Sequence, residues 1–375
     1  MVLIAAKDRL LFWLKASGAL ADEVNDVPVD ELVSTYARLK QESFTLPQST
    51  GAHVDLNMFN PLSKISSGNP WAVQYENQNH MNEIKLDVDR THQEHALFQL
   101  APVQKSLISI LFVFGKVHAL PYRQGMNEIG AVIFSVVAEG SEGSGSYEVQ
   151  EGIAYAMLSG LMMKVGVADF FYQASVSQPK TSSSGSGLSP LLSRCEKIFE
   201  LLAQKDARLH KHLVMNDVVP NLFLLRWVRL LFAREFSISS TVEVWDGLFS
   251  HMVAGERLEF PSIVDYFAIA MVINVRSALL VSDNSGCFSI LLKYPQVDHV
   301  GQLLDLALRV KQGGTLAIAN PPAQQPQMSK RDVVLSDLSS IITDLRNSQA
   351  ARFIEREIKR LEQVVGYLKP PASGR

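Results

Sequence analysis

Two short polar stretches hold the residues best suited to chemistry. The first is Ile84-Lys85-Leu86-Asp87-Val88-Asp89-Arg90-Thr91, in which an acid and an arginine stand three apart. The second is Tyr122-Arg123-Gln124-Gly125-Met126-Asn127, set between the apolar runs "LISILFVFGKVHAL" and "IGAVIFSVVA". Arginine contributes a planar guanidinium that stays charged and can hold two oxygens at once. Glutamine contributes a carboxamide that both donates and accepts, so it can orient a water. Taken singly, each stretch also has an ordinary reading. Asp87 and Arg90 share a helical face, where the carboxylate can hold the guanidinium as a surface ion pair. Pro121 and Gly125 suit a turn between two helices. A plain turn leaves Tyr122, Gln124 and Asn127 without a reason to be there.

The elements that must position these residues read as helices. Leu10, Leu11 and Leu14 share a face of a first helix, and Asp30 is the expected N-cap of a second that carries Leu32, Tyr36 and Leu39. Ile84 and Val88 place the first stretch on a helix that ends near Thr91. Pro102 suits the first turn of the next helix. Pro121 stops that helix at Leu120, because the residue before a proline avoids helical backbone. A further helix is expected from about Met126 to Ala138, with Leu111, Phe114, Ile133 and Phe134 buried behind the loop. More helices follow at about 190–210, 220–235, 240–253, 260–281 and 300–311. No strand alternation and no fixed-period repeat is found, so the fold class is all-α.

Composition narrows the function. The chain has 375 residues, 47% of them hydrophobic, enough for a sizeable core. A net charge of −3, with no basic stripe interleaved with aromatics, argues against a nucleic-acid partner. The two cysteines, Cys195 and Cys287, stand far apart and fit a reducing compartment without a disulfide framework. The N-terminal "MVLIAAKDRLLFWLKASGAL" is broken by Lys7, Asp8 and Arg9, and no apolar run approaches the ~20 residues of a membrane helix. A cytoplasmic protein without a transmembrane segment is expected. There is no P-loop, G-x-G-x-x-G, H-E-x-x-H or nucleophile elbow. His92 and His95 lack an evident third ligand, so no metal site is expected.

Gly/Ser-rich stretches near 139–149 and 177–190 read as flexible insertions, and 312–331 reads as a linker. In the tail, 332–375, Leu335, Leu338, Ile342 and Leu345 follow helical spacing, as do Ile354, Ile358, Leu361, Val365 and Leu368, in a different register. Such a helical tail docks on its own core or forms a short coiled coil with a protein partner.

The order of the motifs resembles a known family, the TBC domain of Rab GTPase-activating proteins. Its first motif, I-x-x-D-x-x-R-T, is matched by Ile84, Asp87, Arg90 and Thr91, and its second, Y-x-Q-G-M-N, by Tyr122, Gln124, Gly125, Met126 and Asn127. A third stretch, "PNLFLLRWVRLLFAREF" at 220–236 followed by "VWDGLF" at 244–249, also matches, and "NPLS…NPW" ahead of the first motif fits one subgroup. The resemblance implies a TBC domain of two helical lobes over 1–311. It implies stimulation of GTP hydrolysis by a GTP-bound Rab, with Arg90 as an arginine finger and Gln124 as a glutamine finger. Asp87 would orient Arg90, Tyr122 and Asn127 would brace the loop, and Gly125 would let the backbone approach the nucleotide. Arg226 and Trp227 read as structural, an interhelical polar contact beside a core anchor. GTP and Mg would be carried by the partner, so no cofactor is expected. A place at the periphery of endomembranes is expected, and a Rab-binding scaffold without catalysis is the alternative.

Overall fold

The computed structural model describes residues 5–45, 70–141, 146–172 and 189–313, and within them every regular element is helical. The chain divides into two units, Met1–Thr315 and Leu316–Arg375, and the tail unit lies outside the described residues. The "NPLS" lead-in and the linker from 314 onward lie outside them too.

A first group of helices comprises α1 (Ala6–Ala16), α2 (Val29–Phe44), α3 (Pro70–Val88), α4 (Ala96–Gln99), α5 (Ala101–Val117), α6 (Met126–Gly140) and α7 (Tyr147–Ser159). α7 packs on α2, α5 and α6, α3 on α5, and α1 on α6. The second group comprises α8 (Pro190–Lys205), α9 (Ala207–Met215), α10 (Asn221–Arg229), α11 (Ile238–Phe249), α12 (Ile263–Asn274), α13 (Arg276–Leu279), α14 (Asn284–Leu292) and α15 (Val300–Gln312). Its centre is α12, which contacts α8, α10 and α15. These two groups are the two helical lobes.

Several boundaries differ from the sequence reading for physical reasons. α2 begins at Val29 after Pro28, so Asp30 sits in the first turn, beside the positive end of the helix dipole, and is not the cap. On α1 the buried face is Leu10, Trp13 and Leu14, and Leu11 is half-buried. α5 stops at Val117 because Ala119 takes the left-handed conformation (φ 51°) and the Leu120 N–H donates to the Gly115 carbonyl, closing a Schellman turn. The helix expected over 190–210 breaks at Asp206, whose side chain caps α9. α10 ends at Arg229, before Leu231 and Phe232, both with positive φ. Trp245 Nε1 donates to the Leu231 carbonyl at 2.8 Å and pins that turn. α14 lies between the helices expected over 260–281 and 300–311, where the sequence reading places none. In the stretch 139–149, α6 reaches Gly140 and α7 starts at Tyr147, with 142–145 outside the described residues. Of 177–190, only Ser189, the N-cap of α8, and Pro190 are described.

The lobes join where α11 meets α1 and α6. Trp13 lies against Trp245 and Phe249, with ring centroids 5.4 and 5.2 Å away. Trp13 Nε1 donates to Asp246 at 2.7 Å, and Arg9 Nε donates to the same buried carboxylate at 3.0 Å. Asp246 therefore satisfies two donors from the other lobe, and its loss leaves both in a nearly water-free seam. Asp246→Ala is expected to cost roughly 3 kcal/mol, the lower end for breaking a buried pair, because Glu139 remains 3.7 Å from Arg9. Urea unfolding monitored by Trp fluorescence measures it, and a loss below about 1 kcal/mol would show that the seam tolerates an unpaired Arg9.

Candidate functional site

The site begins with a short buried hydrogen-bond circuit. Asn127 stands in the first turn of α6, and its carboxamide is almost wholly buried. Its Oδ1 accepts from the Gly125 N–H at 2.9 Å, and its Nδ2 donates to Thr91 Oγ at 2.8 Å. Thr91 Oγ in turn donates to the Asp87 carbonyl at 2.8 Å. The Tyr122 hydroxyl lies 2.8 Å from Asp87 Oδ2 and 2.9 Å from Asn127 Oδ1. It has one proton to give, and the carboxylate is the stronger acceptor. Burial pushes the Tyr122 hydroxyl well above the ordinary tyrosine range, and the bond to Asp87 adds to it, so it remains a donor. The end of α3 is thus tied to the 122–127 loop.

Arg90 and Gln124 flank this circuit and take no part in it. Both side chains are exposed. Among the described residues, neither makes a side-chain hydrogen bond or ion pair. Both line one cleft of about 460 Å³, along with Asp87, Gly125, Asn127 and Glu128. Its other wall comes from the second lobe: Leu225, Arg226, Arg229, Leu230 and Arg234. The expected Asp87–Arg90 pair is not formed. Arg90 lies beyond the last residue of α3, in a turn where its N–H donates to the Asp87 carbonyl, so the helical three-residue spacing no longer applies. The carboxylate goes to Tyr122 instead.

Gly125 has a backbone reason for its type. Its φ is +103°, which a side chain resists. A Cβ there would lie 2.6 Å from Leu230 Cδ2, so the second lobe already occupies that space. Arg226 and Trp227 are structural, as read from the sequence: Arg226 grips Glu235 through Nε and Nη2 at 2.7 and 2.8 Å, and Trp227 is fully buried. Leu111, Phe114, Ile133 and Phe134 form the core behind the loop.

Sequence reasoning missed Glu128, Arg229, Leu230 and Arg234. Glu128 lies between His92 Nε2 (3.2 Å) and Arg234 Nε (3.6 Å). Burial pushes its carboxyl up, with the charges of His92 and Arg234 pulling the other way. Arg229, Leu230 and Arg234 stand inside the stretch 220–236, yet no spacing rule reveals which of its residues face the other lobe. Among the described residues, no group of three or more His, Cys, Asp or Glu is placed to hold a metal ion, and no helix is long and apolar enough to cross a membrane.

An all-α fold of two lobes, presenting an arginine and a glutamine in one cleft, can now be set beside known proteins. Residues 62–280 match the Rab-GTPase-TBC domain. The chain is 30% identical over 308 residues to TBC1 domain family member 5 of Homo sapiens, covering 75% of this chain and 38% of that protein. It is 30% identical over 199 residues to TBC1 domain family member 13 of Mus musculus, covering 53% and 45%. In fold it is similar to the crystal structure of the Ypt/Rab-GAP domain of Gyp1p, with a TM-score of 0.60, 18% identity and coverage of 83% and 88%. The chain belongs to the Rab-GTPase-TBC domain family. It spans little more than a third of the length of the human relative.

Replacing Gly125 tests the loop as built. Gly125→Ala combines a strained left-handed residue with a clash against Leu230, and is expected to cost about 3 kcal/mol in urea unfolding. A cost below about 1 kcal/mol would show that the loop and Leu230 move apart freely.

Proposed function

We propose that this chain accelerates GTP hydrolysis by a small GTPase of the Rab class, supplying Arg90 and Gln124 to the GTP-bound partner. One observation carries the reading. Two exposed side chains of the right types, without partners among the described residues, open into a single cleft from the two ends of one buried circuit. The same observation favours it over an inactive Rab-binding scaffold, which has no need to keep both groups free.

As the bond to the γ-phosphoryl group breaks, charge spreads over its oxygens. Arg90, planar and permanently charged, can contact two of them. An arginine finger contributes about 10³–10⁵ in rate, which corresponds to roughly 4–7 kcal/mol of barrier. Gln124 can accept from the attacking water and donate toward the phosphate. GTP and Mg²⁺ arrive with the GTPase, which holds them in its own phosphate loop. The circuit through Asn127 holds the two turns together, so the fingers need little reordering when the partner binds.

Arg90→Lys keeps the charge and loses the planar fork. Stimulated turnover is expected to fall at least about a hundredfold, while GTPase binding measured by interferometry stays within about threefold, since one side chain is a small part of a protein interface. Unchanged turnover would assign the finger elsewhere. Gln124 is tested by a cross. A GTPase whose own water-orienting glutamine is changed to alanine should still respond to this chain, whereas Gln124→Ala should lose most stimulation of the unaltered GTPase. An unresponsive altered GTPase, together with near-normal Gln124→Ala, would leave Arg90 as the only catalytic group.

A further inference from the structure

Among the described residues, the buried and half-buried arginines follow a rule, with one exception in the cleft. Arg9 holds Asp246 at 3.0 Å, Arg194 holds Asp265 at 2.7 Å, Arg226 holds Glu235 at 2.7 Å and Arg276 holds Asp206 at 2.5 Å. Each places a guanidinium against a carboxylate that is itself buried. Arg229, the last residue of α10, is also half-buried, yet among the described residues it makes no ion pair and no side-chain hydrogen bond. Its Nε–H is shut off from solvent with no acceptor among them. Its only compensation there is the face of Phe171, 5.9 Å from the guanidinium carbon.

The surroundings offer it no counter-ion. The cleft's own carboxylates are engaged, Asp87 by Tyr122 and Glu128 by His92 and Arg234. The neighbouring Cys195 thiol is pushed up to about 12 by burial, so it stays neutral at physiological pH. Burial also pulls the Arg229 guanidinium below its ordinary range, the sign of a charge kept where water is scarce. A lone cation in such a place destabilises a fold unless something else uses it.

Resting on the function proposed above, we propose that Arg229 is a specificity-determining residue that receives a carboxylate projecting from the surface of the GTPase. A phosphate is the wrong ligand on grounds of reach. The phosphates of a bound nucleotide are cradled inside the GTPase, so a group that contacts them must extend. Arg90 is exposed at a turn and can extend. Arg229 is recessed in the cleft wall with its head over Phe171, so the anion must come to it. An aspartate or glutamate on a protruding part of the GTPase does that, and the guanidinium fork matches a carboxylate with two parallel bonds. GTPases without an acid at that place would leave Arg229 buried and unpaired on binding, which is discrimination by an unmet charge.

Arg229→Met tests this, since it keeps volume and removes the charge. Stimulated hydrolysis and melting temperature are measured for the whole chain, using the GTPase that the unaltered chain stimulates best in a panel. The expected result is a KM at least tenfold higher, kcat within twofold, and a melting temperature that is unchanged or raised. Arg229→Lys, which keeps the charge without the fork, should raise KM less. Arg229→Glu should be rescued by one Asp→Arg or Glu→Arg substitution on the GTPase face. A KM within twofold of the unaltered chain overturns the inference alone. A fall in kcat at unchanged KM assigns Arg229 to the phosphates and overturns it too. A fall of several degrees in melting temperature makes Arg229 a structural residue and has the same effect. A folded chain that neither binds nor stimulates any member of the panel overturns both this inference and the function it rests on.

Discussion

The carboxamide of Asn127 is the constraint on which the rest of the site depends. It touches both turns bearing the exposed arginine and glutamine, taking the Gly125 N–H with its oxygen and giving its N–H to Thr91. Both functions of a carboxamide are used, in opposite directions, at a buried point. An aspartate has no donor for Thr91, and a leucine leaves two buried polar groups unmet. Thr91 and Gly125 are the chain neighbours of Arg90 and Gln124, so the spacing of the two exposed side chains is inherited from these bonds. The apolar backing of Leu111, Phe114, Ile133 and Phe134 makes that inheritance rigid.

The second lobe completes the site without adding to the circuit. Leu230 fills the space beside Gly125 that a Cβ would need, which locks the loop against the far wall of the cleft. The turn that presents Leu230 depends on Trp245, whose indole N–H holds the Leu231 carbonyl. Trp245 also packs against Trp13 of the first lobe, so the seam that joins the lobes and the turn that shapes the cleft share one side chain. Arg234 reaches back to Glu128 on α6.

Much of this was legible in the sequence, because it is local. Helical periodicity located α3, α5 and α6, and the paired motifs placed Arg90 and Gln124 at their ends. What escaped depends on contacts distant in sequence or on departures from helical geometry. Asp87 was expected to hold Arg90, a rule valid within a helix, but the helix ends at Val88 and Tyr122, 35 residues away, claims the carboxylate. Gly125 is expected from the sequence to let the backbone approach a nucleotide; its positive φ and the Leu230 side chain beside it are further reasons for its type, and they come from contacts distant in sequence. Glu128, Arg229 and Arg234 are ordinary helix and turn residues until the two lobes face each other. The break at Asp206 is equally invisible to periodicity, since its cause is an aspartate capping α9 while receiving Arg276.

A buried circuit, out of a partner's reach, sets the geometry of Arg90 and Gln124, the two groups proposed to act on the GTPase. Asn127→Ala tests this most directly, in single-turnover hydrolysis by the GTPase that the chain is proposed to stimulate, at a temperature where the variant is fully folded by circular dichroism. Misplacing reacting groups by about 1 Å is worth about a hundredfold in rate. The rate at saturation is therefore expected to fall by at least about tenfold, with the half-saturating concentration of the chain unchanged. A rate within twofold of the unaltered chain would show that Arg90 and Gln124 find their geometry from the GTPase alone, and would contradict that role of the circuit.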